Sequence, residues 1–183
     1  LFYFVRAERD DDFGKATLIE TSGGGVEIGE DLQTAIQREL KEELGISVEI
    51  ICKIGVVSDY YNLIHRHNIN NYFLCKVKSF GEKNLTQDEI ESFHLSTLKL
   101  TYDEAVREYE NRANTSLGTL VANRELPILQ RAKEIIDESH SIQTFVSKNG
   151  FRSDVIPSGA YVSPNGNTVS SVNELHAEAK NMI

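Results

Sequence analysis

The clearest pattern of apolar and polar positions predicts a helix over residues 31–44. Apolar side chains recur there at three- and four-residue spacing and form one stripe: Leu32, Ala35, Ile36, Leu40 and Leu44. Asp31 can accept a hydrogen bond from the free N–H groups at the helix start. Gly45 can adopt the left-handed conformation that ends a helix. Both ends of this helix are therefore predicted together with its buried face.

Shorter patterns predict the other elements. Aromatic, aliphatic or alternating runs predict four strands, at residues 1–6, 16–19, 48–54 and 72–77. The polar residues 8–12 are predicted to form a loop. Helices are predicted over residues 101–113, which begin with a Thr-x-x-Glu capping box, and from Pro127 in a first turn to about residue 138. Strands alternating with helices indicate a layered α/β domain.

The character of the chain changes after residue 138. Turn-forming residues are frequent at 149–150, 157–159 and 163–166, and a last helix is predicted over residues 172–181. We expect residues 1–138 to form one domain and residues 139–183 to form a C-terminal extension of unknown role.

Composition and charge narrow the classes of function. The formal net charge is −9, without a Lys/Arg cluster to offset it, which argues against binding to nucleic-acid backbones. No apolar run approaches membrane-spanning length, so no membrane partner is expected. Cys52 and Cys75 lie in apolar strand-like runs, which is typical of two buried free thiols in a cytoplasmic protein.

Three glutamates near the end of the first helix are the candidate chemistry. Glu39, Glu42 and Glu43 share one side of the helix, where like charges repel by roughly 0.2–0.5 kcal/mol per pair. The helix dipole disfavours anions there by roughly another 0.3–1 kcal/mol. A hard divalent cation would offset this cost, and oxygen ligands favour Mg²⁺ or Mn²⁺ over Zn²⁺. The alternative is a solvated acidic face in which Arg38 neutralises Glu42.

The wider spacing favours the metal interpretation. Gly24 is followed after five residues by Glu30, and after seven more by Arg-Glu-Leu-Lys-Glu-Glu-Leu-Gly-Ile at residues 38–46. This stretch resembles the Nudix box at each of its fixed and aliphatic positions. A chance match is on the order of one in a million or rarer at average residue frequencies. The resemblance implies an α/β/α sandwich with a central mixed sheet, whose usual first strand would lie upstream of Leu1 or be supplied from elsewhere.

The resemblance also implies roles for particular residues. Glu39, Glu42 and Glu43 would be metal ligands, Arg38 would hold a box carboxylate, and Glu30 would assist through contacts around the metal. Gly24 and Gly25 would let the backbone approach the metal and the phosphates of the substrate.

Other implied roles are less specific. Glu89 is the candidate general base, with Glu91 as the competing choice and an ordinary acidic surface loop as the alternative to both. Tyr61, next to Tyr60 in a polar loop, is a candidate substrate contact or a hairpin packing residue. Ser22 stands where many family members have proline, and we expect it to change turn stiffness without touching a ligand.

The resulting hypothesis is a cytoplasmic Nudix hydrolase, a pyrophosphatase with Mg²⁺ (or Mn²⁺) as cofactor. It would cut a diphosphate linkage in a nucleoside diphosphate joined to another moiety, with a nucleotide, dinucleotide or nucleotide sugar as substrate. We expect a small phosphorylated partner and no nucleic acid, and we leave a homodimer open. One alternative is a Nudix-fold sensor or regulator that binds a nucleotide derivative without hydrolysis. Another is an RNA end-processing hydrolase, which would need a basic groove.

Overall fold

The computed structural model describes residues 1–148, 161–162 and 168–169. The chain divides into two compact units, Leu1–Ala132 and Lys133–Ile183. The candidate functional site lies wholly in the first unit. The turn signals predicted at residues 149–150, 157–159 and 163–166 and the helix predicted over residues 172–181 lie outside the described residues.

Seven strands and four helices follow one another in the described part of the chain. The strands are β1 (Phe2–Asp11), β2 (Gly14–Glu20), β3 (Ile46–Tyr61), β4 (Arg66–Phe80), β5 (Ser96–Leu100), β6 (Tyr161–Val162) and β7 (Thr168–Val169). The helices are α1 (Leu32–Leu44), α2 (Gln87–Glu91), α3 (Tyr102–Arg112) and α4 (Ser116–Lys148). A single turn of 3-10 helix, Asn62–Ile64, joins β3 to β4. The predicted mixed α/β class is confirmed.

The described strands pair only in the antiparallel sense. β2, β1 and β5 form a three-stranded sheet with β1 in the centre, and β3 and β4 form a long two-stranded hairpin. The pair β6–β7 lies in the second unit.

Two apolar clusters pack against β1. One joins Phe4 of β1 to residues of β2, α3 and α4, among them Tyr109 and Val121. The other joins Val5 of β1 to Leu40 and Leu44 of α1. Successive residues of a strand point to opposite faces, so β1 supplies one buried side chain to each cluster. This arrangement places α1 on the opposite face of the sheet from α3 and α4.

The predicted helix at residues 31–44 is confirmed at both ends. The Asp31 side chain accepts a hydrogen bond from the backbone N–H of Thr34, and Gly45 ends α1 at φ 65°. A Cβ atom at Gly45 would lie 2.6 Å from the carbonyl oxygen of Gly81, so the end of α1 also has no room for a side chain. The capping box at Thr101 is likewise confirmed as the start of α3.

Several predicted boundaries are wrong because strands continue where a partner strand is available. Residues 8–11, predicted as loop, belong to β1 and pair with β2. Tyr60 and Tyr61, predicted in a polar loop, are the last residues of β3 and pair with β4. The strand β5 was not predicted, although it forms one edge of the three-stranded sheet.

The helix predicted to start at Pro127 is also longer than expected. Pro127 lies inside α4, which begins eleven residues earlier at Ser116. Proline in a helix interior costs about 3 kcal/mol because it lacks an N–H and crowds the preceding turn. Val121 and Leu129 are buried on either side of Pro127, and this packing on both sides keeps the helix continuous.

Within the described residues, no helix is both long enough and apolar enough to cross a membrane.

Candidate functional site

The segment between β2 and α1 carries the first part of the site. It leaves the sheet after Glu20 and passes next to α1 before that helix begins. A Cβ atom at Gly24 would overlap the carboxylate of Glu39, with the carboxyl carbon only 2.6 Å away. A side chain at position 24 would therefore displace the carboxylate of Glu39, a predicted metal ligand, from its present place.

Arg38 gathers the carboxylates of the box. Its Nε and Nη2 donate to the two oxygens of Glu30, each at 3.0 Å, which is the paired geometry that suits a guanidinium and a carboxylate. Its Nη1 donates to Glu39 at 2.8 Å and to Glu42 at 3.2 Å, and its Nη2 also donates to the carbonyl oxygen of Gly25 at 3.0 Å. The hydrogen bond to Glu30 is the main cause of the raised pKa of Arg38 and of the lowered pKa of Glu30. One arginine thus offsets the repulsion among three carboxylates and ties them to the glycine turn.

Glu43 is held in a different way. Its side chain is buried, and its Oε2 accepts hydrogen bonds from Ser22 Oγ at 2.5 Å and from the backbone N–H of Gly23 at 3.0 Å. Burial raises the pKa of Glu43 to about 7 against the effect of these two hydrogen bonds, and the charges of Glu39 and Glu89 raise it further. The expectation that Ser22 touches no ligand is wrong, because its hydroxyl binds the carboxylate predicted as the foremost metal ligand.

The donor set around Glu43 fits a hard divalent cation by its chemistry. The groups that raise its pKa by charge are both carboxylates, and such clustered oxygens are what Mg²⁺ and Mn²⁺ prefer. In the part of the chain that the structure describes, no three His, Cys, Asp or Glu side chains are grouped closely enough to hold an ion as they stand. Glu39 and Glu42 point to Arg38 instead, so they would have to exchange part of that contact for the ion.

The two candidate bases lie on α2, not on the predicted loop. Glu89 closes a capping box, and its Oε2 accepts from the backbone N–H and the hydroxyl of Thr86 at 2.6 and 2.8 Å. Glu91 accepts from the side-chain amide of Gln87 at 3.1 Å. Of these two glutamates, Glu89 is the one whose charge acts on Glu43.

The two tyrosines at the end of β3 are placed differently. Tyr61 is half-buried, its ring packs edge-on against Phe13 with centroids 5.7 Å apart, and its hydroxyl accepts from Arg124 Nη1 at 3.1 Å. Tyr60 is exposed and lies beside the ring of His67. The contacts of Tyr61 are those of a packing residue on the hairpin.

A groove of about 400 Å³ lies beside α1. It includes both partners of the Arg38–Glu42 contact, and its lining residues are Thr34, Gln37, Arg38, Lys41, Glu42, Glu82 and Asn84. A volume in this range can admit part of a nucleotide-sized ligand.

The sequence pattern missed a second buried carboxylate next to the glycine turn. Glu125 on α4 is 2% exposed and accepts hydrogen bonds from Tyr72 Oη at 3.0 Å, Arg124 Nε at 3.1 Å, the backbone N–H of Thr21 at 3.2 Å and Tyr109 Oη at 3.4 Å. A signal was present, since Glu125 falls on the same apolar stripe of α4 as its buried neighbours Val121, Ala122 and Leu129. A charged residue on such a stripe is buried only when it is paired.

Comparison with known proteins identifies the family of the chain. A family model described as the NUDIX domain matches residues 3–116. No curated protein matches the chain at a significant level. Among solved structures, the chain is similar to one titled "Solution structure of the E. coli ORF135 protein", with 18% sequence identity, a TM-score of 0.48, and coverage of 72% of this chain and 79% of that chain. Because the domain match spans more than half of its length, this chain belongs to the Nudix family of hydrolases, which cleave derivatives of nucleoside diphosphates.

Proposed function

We propose that this protein is a Mg²⁺-dependent pyrophosphohydrolase acting on a nucleoside diphosphate linked to another moiety. Water would add across the P–O–P linkage, the bridging P–O bond would break, and each product would keep one of the two phosphoryl groups. The observation that carries the proposal is Glu43, a buried carboxylate that is bound by the glycine turn and has two further glutamates, Glu39 and Glu89, within electrostatic reach.

The proposed metal ligands are Glu39, Glu42 and Glu43. A bound Mg²⁺ would supply positive charge against the phosphate oxygens of the substrate. Arg38 is proposed as the positioning residue, since it contacts both Glu39 and Glu42 and is itself held by Glu30. A short arginine contact that a carboxylate can exchange for an ion keeps the ligands together before the ion arrives.

The glycine turn is proposed to border the phosphates of the substrate. Gly24 lies against the Glu39 carboxylate, and the carbonyl oxygen of Gly25 is bound by Arg38. The backbone can therefore come close to any anion that shares a cation with these carboxylates. Tyr61 is not included among the proposed substrate contacts, because its ring packs against Phe13 and its hydroxyl is bound by Arg124.

Glu89 is proposed as the general base that takes the proton from the attacking water. Its charge acts on Glu43, so it lies within electrostatic reach of the proposed metal ligands. Glu89→Gln is a suitable test because glutamine also serves in a capping box, which leaves the start of α2 intact. We expect kcat to fall by a factor of about 10²–10⁴ in Glu89→Gln and to change little in Glu91→Gln. The reverse order would assign the base to Glu91.

The proposed reaction is tested by phosphate release from a panel of substrates. Nucleoside triphosphates, dinucleoside polyphosphates, nucleotide sugars and ADP-ribose are each assayed with Mg²⁺, with Mn²⁺ and with EDTA. We expect activity on at least one of them that EDTA abolishes. Glu43→Gln should lose that activity, whereas Glu110→Gln, an exposed glutamate on α3, should keep it.

Two results would contradict the proposal in different ways. Full Mg²⁺-dependent activity of Glu43→Gln would remove Glu43 from the site. Binding of a nucleotide derivative without turnover under any metal condition would favour the sensor or regulator instead.

A further inference from the structure

A stretch of three residues connects two buried carboxylates on opposite sides of the sheet. Thr21 donates its backbone N–H to Glu125 on α4 at 3.2 Å. The next two residues, Ser22 and Gly23, donate to Glu43 on α1 at 2.5 and 3.0 Å. The turn that holds Glu43 is therefore itself anchored, one residue earlier, by a carboxylate 82 positions further along the chain than Glu43.

Glu125 is a rigid anchor. Its Oε1 accepts from Tyr72 of β4 and from the adjacent Arg124, and its Oε2 accepts from Tyr109 of α3 as well as from Thr21. Both oxygens are thus engaged by groups from separate elements, which fixes the torsion of the carboxylate. A buried carboxylate is tolerated only when it is paired in this way.

The other end of the connection explains why the anchor matters. Ser22 and Gly23 both donate to the same oxygen of Glu43, Oε2, so they set the orientation of the carboxylate as well as its position. A shift of the turn by a few tenths of an ångström would lengthen both hydrogen bonds at once. The carboxylate would then rotate, and its second oxygen, Oε1, would point in a different direction.

We propose that Glu125 is a positioning residue for Glu43, acting through the backbone of Thr21, Ser22 and Gly23. This inference rests on the proposed function in that the carboxylate it orients is taken as a metal ligand. Partners around a ligand typically contribute a factor of about 10–100 to metal affinity or activity. We therefore expect loss of the anchor to weaken Mn²⁺ binding by about ten-fold or more in the absence of any substrate.

Glu125→Gln is the first variant for the test. Its amide has one acceptor oxygen for the two positions that now face donors, and neither Arg124 Nε nor the N–H of Thr21 can turn into an acceptor, whereas the tyrosine hydroxyls can. The charged Arg124 is expected to keep the oxygen, so the amide NH₂ faces Thr21 and that bond is lost. Glu125→Ala, which leaves no acceptor at all, is the second variant.

Val121→Ala is the matched control. Val121 is 1% exposed and lies one turn earlier on the same face of α4. Its replacement by alanine removes core packing and leaves the hydrogen bond from Thr21 to Glu125 in place. Each protein is studied by amide hydrogen exchange of residues 21–23 without metal, and by titration with Mn²⁺ alone. The melting temperature of each is recorded, so that a general loss of stability is seen separately.

The expected result is faster exchange at Thr21, Ser22 and Gly23 and a Kd for Mn²⁺ raised about ten-fold or more in Glu125→Gln or Glu125→Ala, with an unchanged Kd in Val121→Ala. If a Glu125 variant loses protection at Thr21 and still binds Mn²⁺ with the affinity of the natural protein, the proposal is overturned. It is also overturned if Val121→Ala weakens Mn²⁺ equally. If the natural protein binds no Mn²⁺, the proposed function fails, and unchanged exchange at Ser22 and Gly23 in the Glu125 variants would then reject the positioning role independently.

Discussion

Replacing Glu43 by glutamine separates the stability cost of burying this carboxylate from its proposed role as a metal ligand. Both of its donors, Ser22 and Gly23, bind one oxygen, so the amide oxygen of glutamine can take that place and keep both hydrogen bonds. The substitution therefore removes the negative charge and changes little else. Without metal, we expect Glu43→Gln to gain stability relative to the natural protein as the pH rises.

The magnitude follows from the pKa. Burial raises the pKa of Glu43 from 4.5 to about 7, so the ionised form is disfavoured in the folded protein by about 3 kcal/mol. A folded pKa above the unfolded value leaves stability intact below about pH 4.5 and lowers it as the pH rises through about 7. Between pH 5 and pH 8 the natural protein should lose about 2.5 kcal/mol relative to Glu43→Gln, an upper figure since the turn can relax.

The assay is urea unfolding of both proteins at pH 5 and pH 8 in EDTA, repeated at pH 8 with Mg²⁺. From pH 5 to pH 8, the free energy of unfolding of the natural protein should fall relative to that of Glu43→Gln. Mg²⁺ should restore stability to the natural protein and leave Glu43→Gln unchanged, because only the former offers the carboxylate. If the difference in free energy of unfolding between the two proteins is the same at pH 5 and pH 8, the pKa of Glu43 is not raised by burial and the prediction is refuted.

Three further predictions concern the end of α1 at Gly45, the contacts of Arg38 and the thiol of Cys75. Gly45→Ala should lower the urea midpoint of unfolding more than Gly14→Ala. Both glycines have positive φ, which costs alanine about 1–2 kcal/mol, but only a Cβ at Gly45 would also meet backbone, 2.6 Å from the carbonyl oxygen of Gly81. Equal midpoints for the two variants would contradict this. Arg38→Lys should lower the Mg²⁺-dependent kcat about 10–100-fold, because an ammonium group cannot reproduce the paired contact of Arg38 with the Glu30 carboxylate. An unchanged kcat would count against the positioning role of Arg38. Burial raises the pKa of Cys75 to about 11, so its alkylation by iodoacetamide, followed by mass spectrometry, should be slower at pH 8 in the folded than in the urea-unfolded protein; equal rates would contradict the burial.

Local sequence determined the helix that carries the site. The start of α1 at Asp31 and its end at Gly45 depend on residues that are close in the sequence. The predicted apolar stripe is buried at Ala35, Leu40 and Leu44, whereas Leu32 in the first turn is exposed. The spacing from Gly24 to Ile46 likewise identified the family, and Arg38 was expected to hold a box carboxylate, which it contacts. Such features are visible in a sequence because the chain brings its near neighbours together whatever the rest of the fold does.

Tertiary structure alone decided the lengths of the strands and the surroundings of Glu43. Residues 8–11 join β1 because β2 supplies their hydrogen bonds, and α4 continues through Pro127 because its packing holds both sides. The hydrogen bonds from Ser22 to Glu43 and from Thr21 to Glu125 span 21 and 104 positions. No local pattern reports a contact over such a distance, because it exists only after the sheet has brought α1 and α4 to the two sides of one turn.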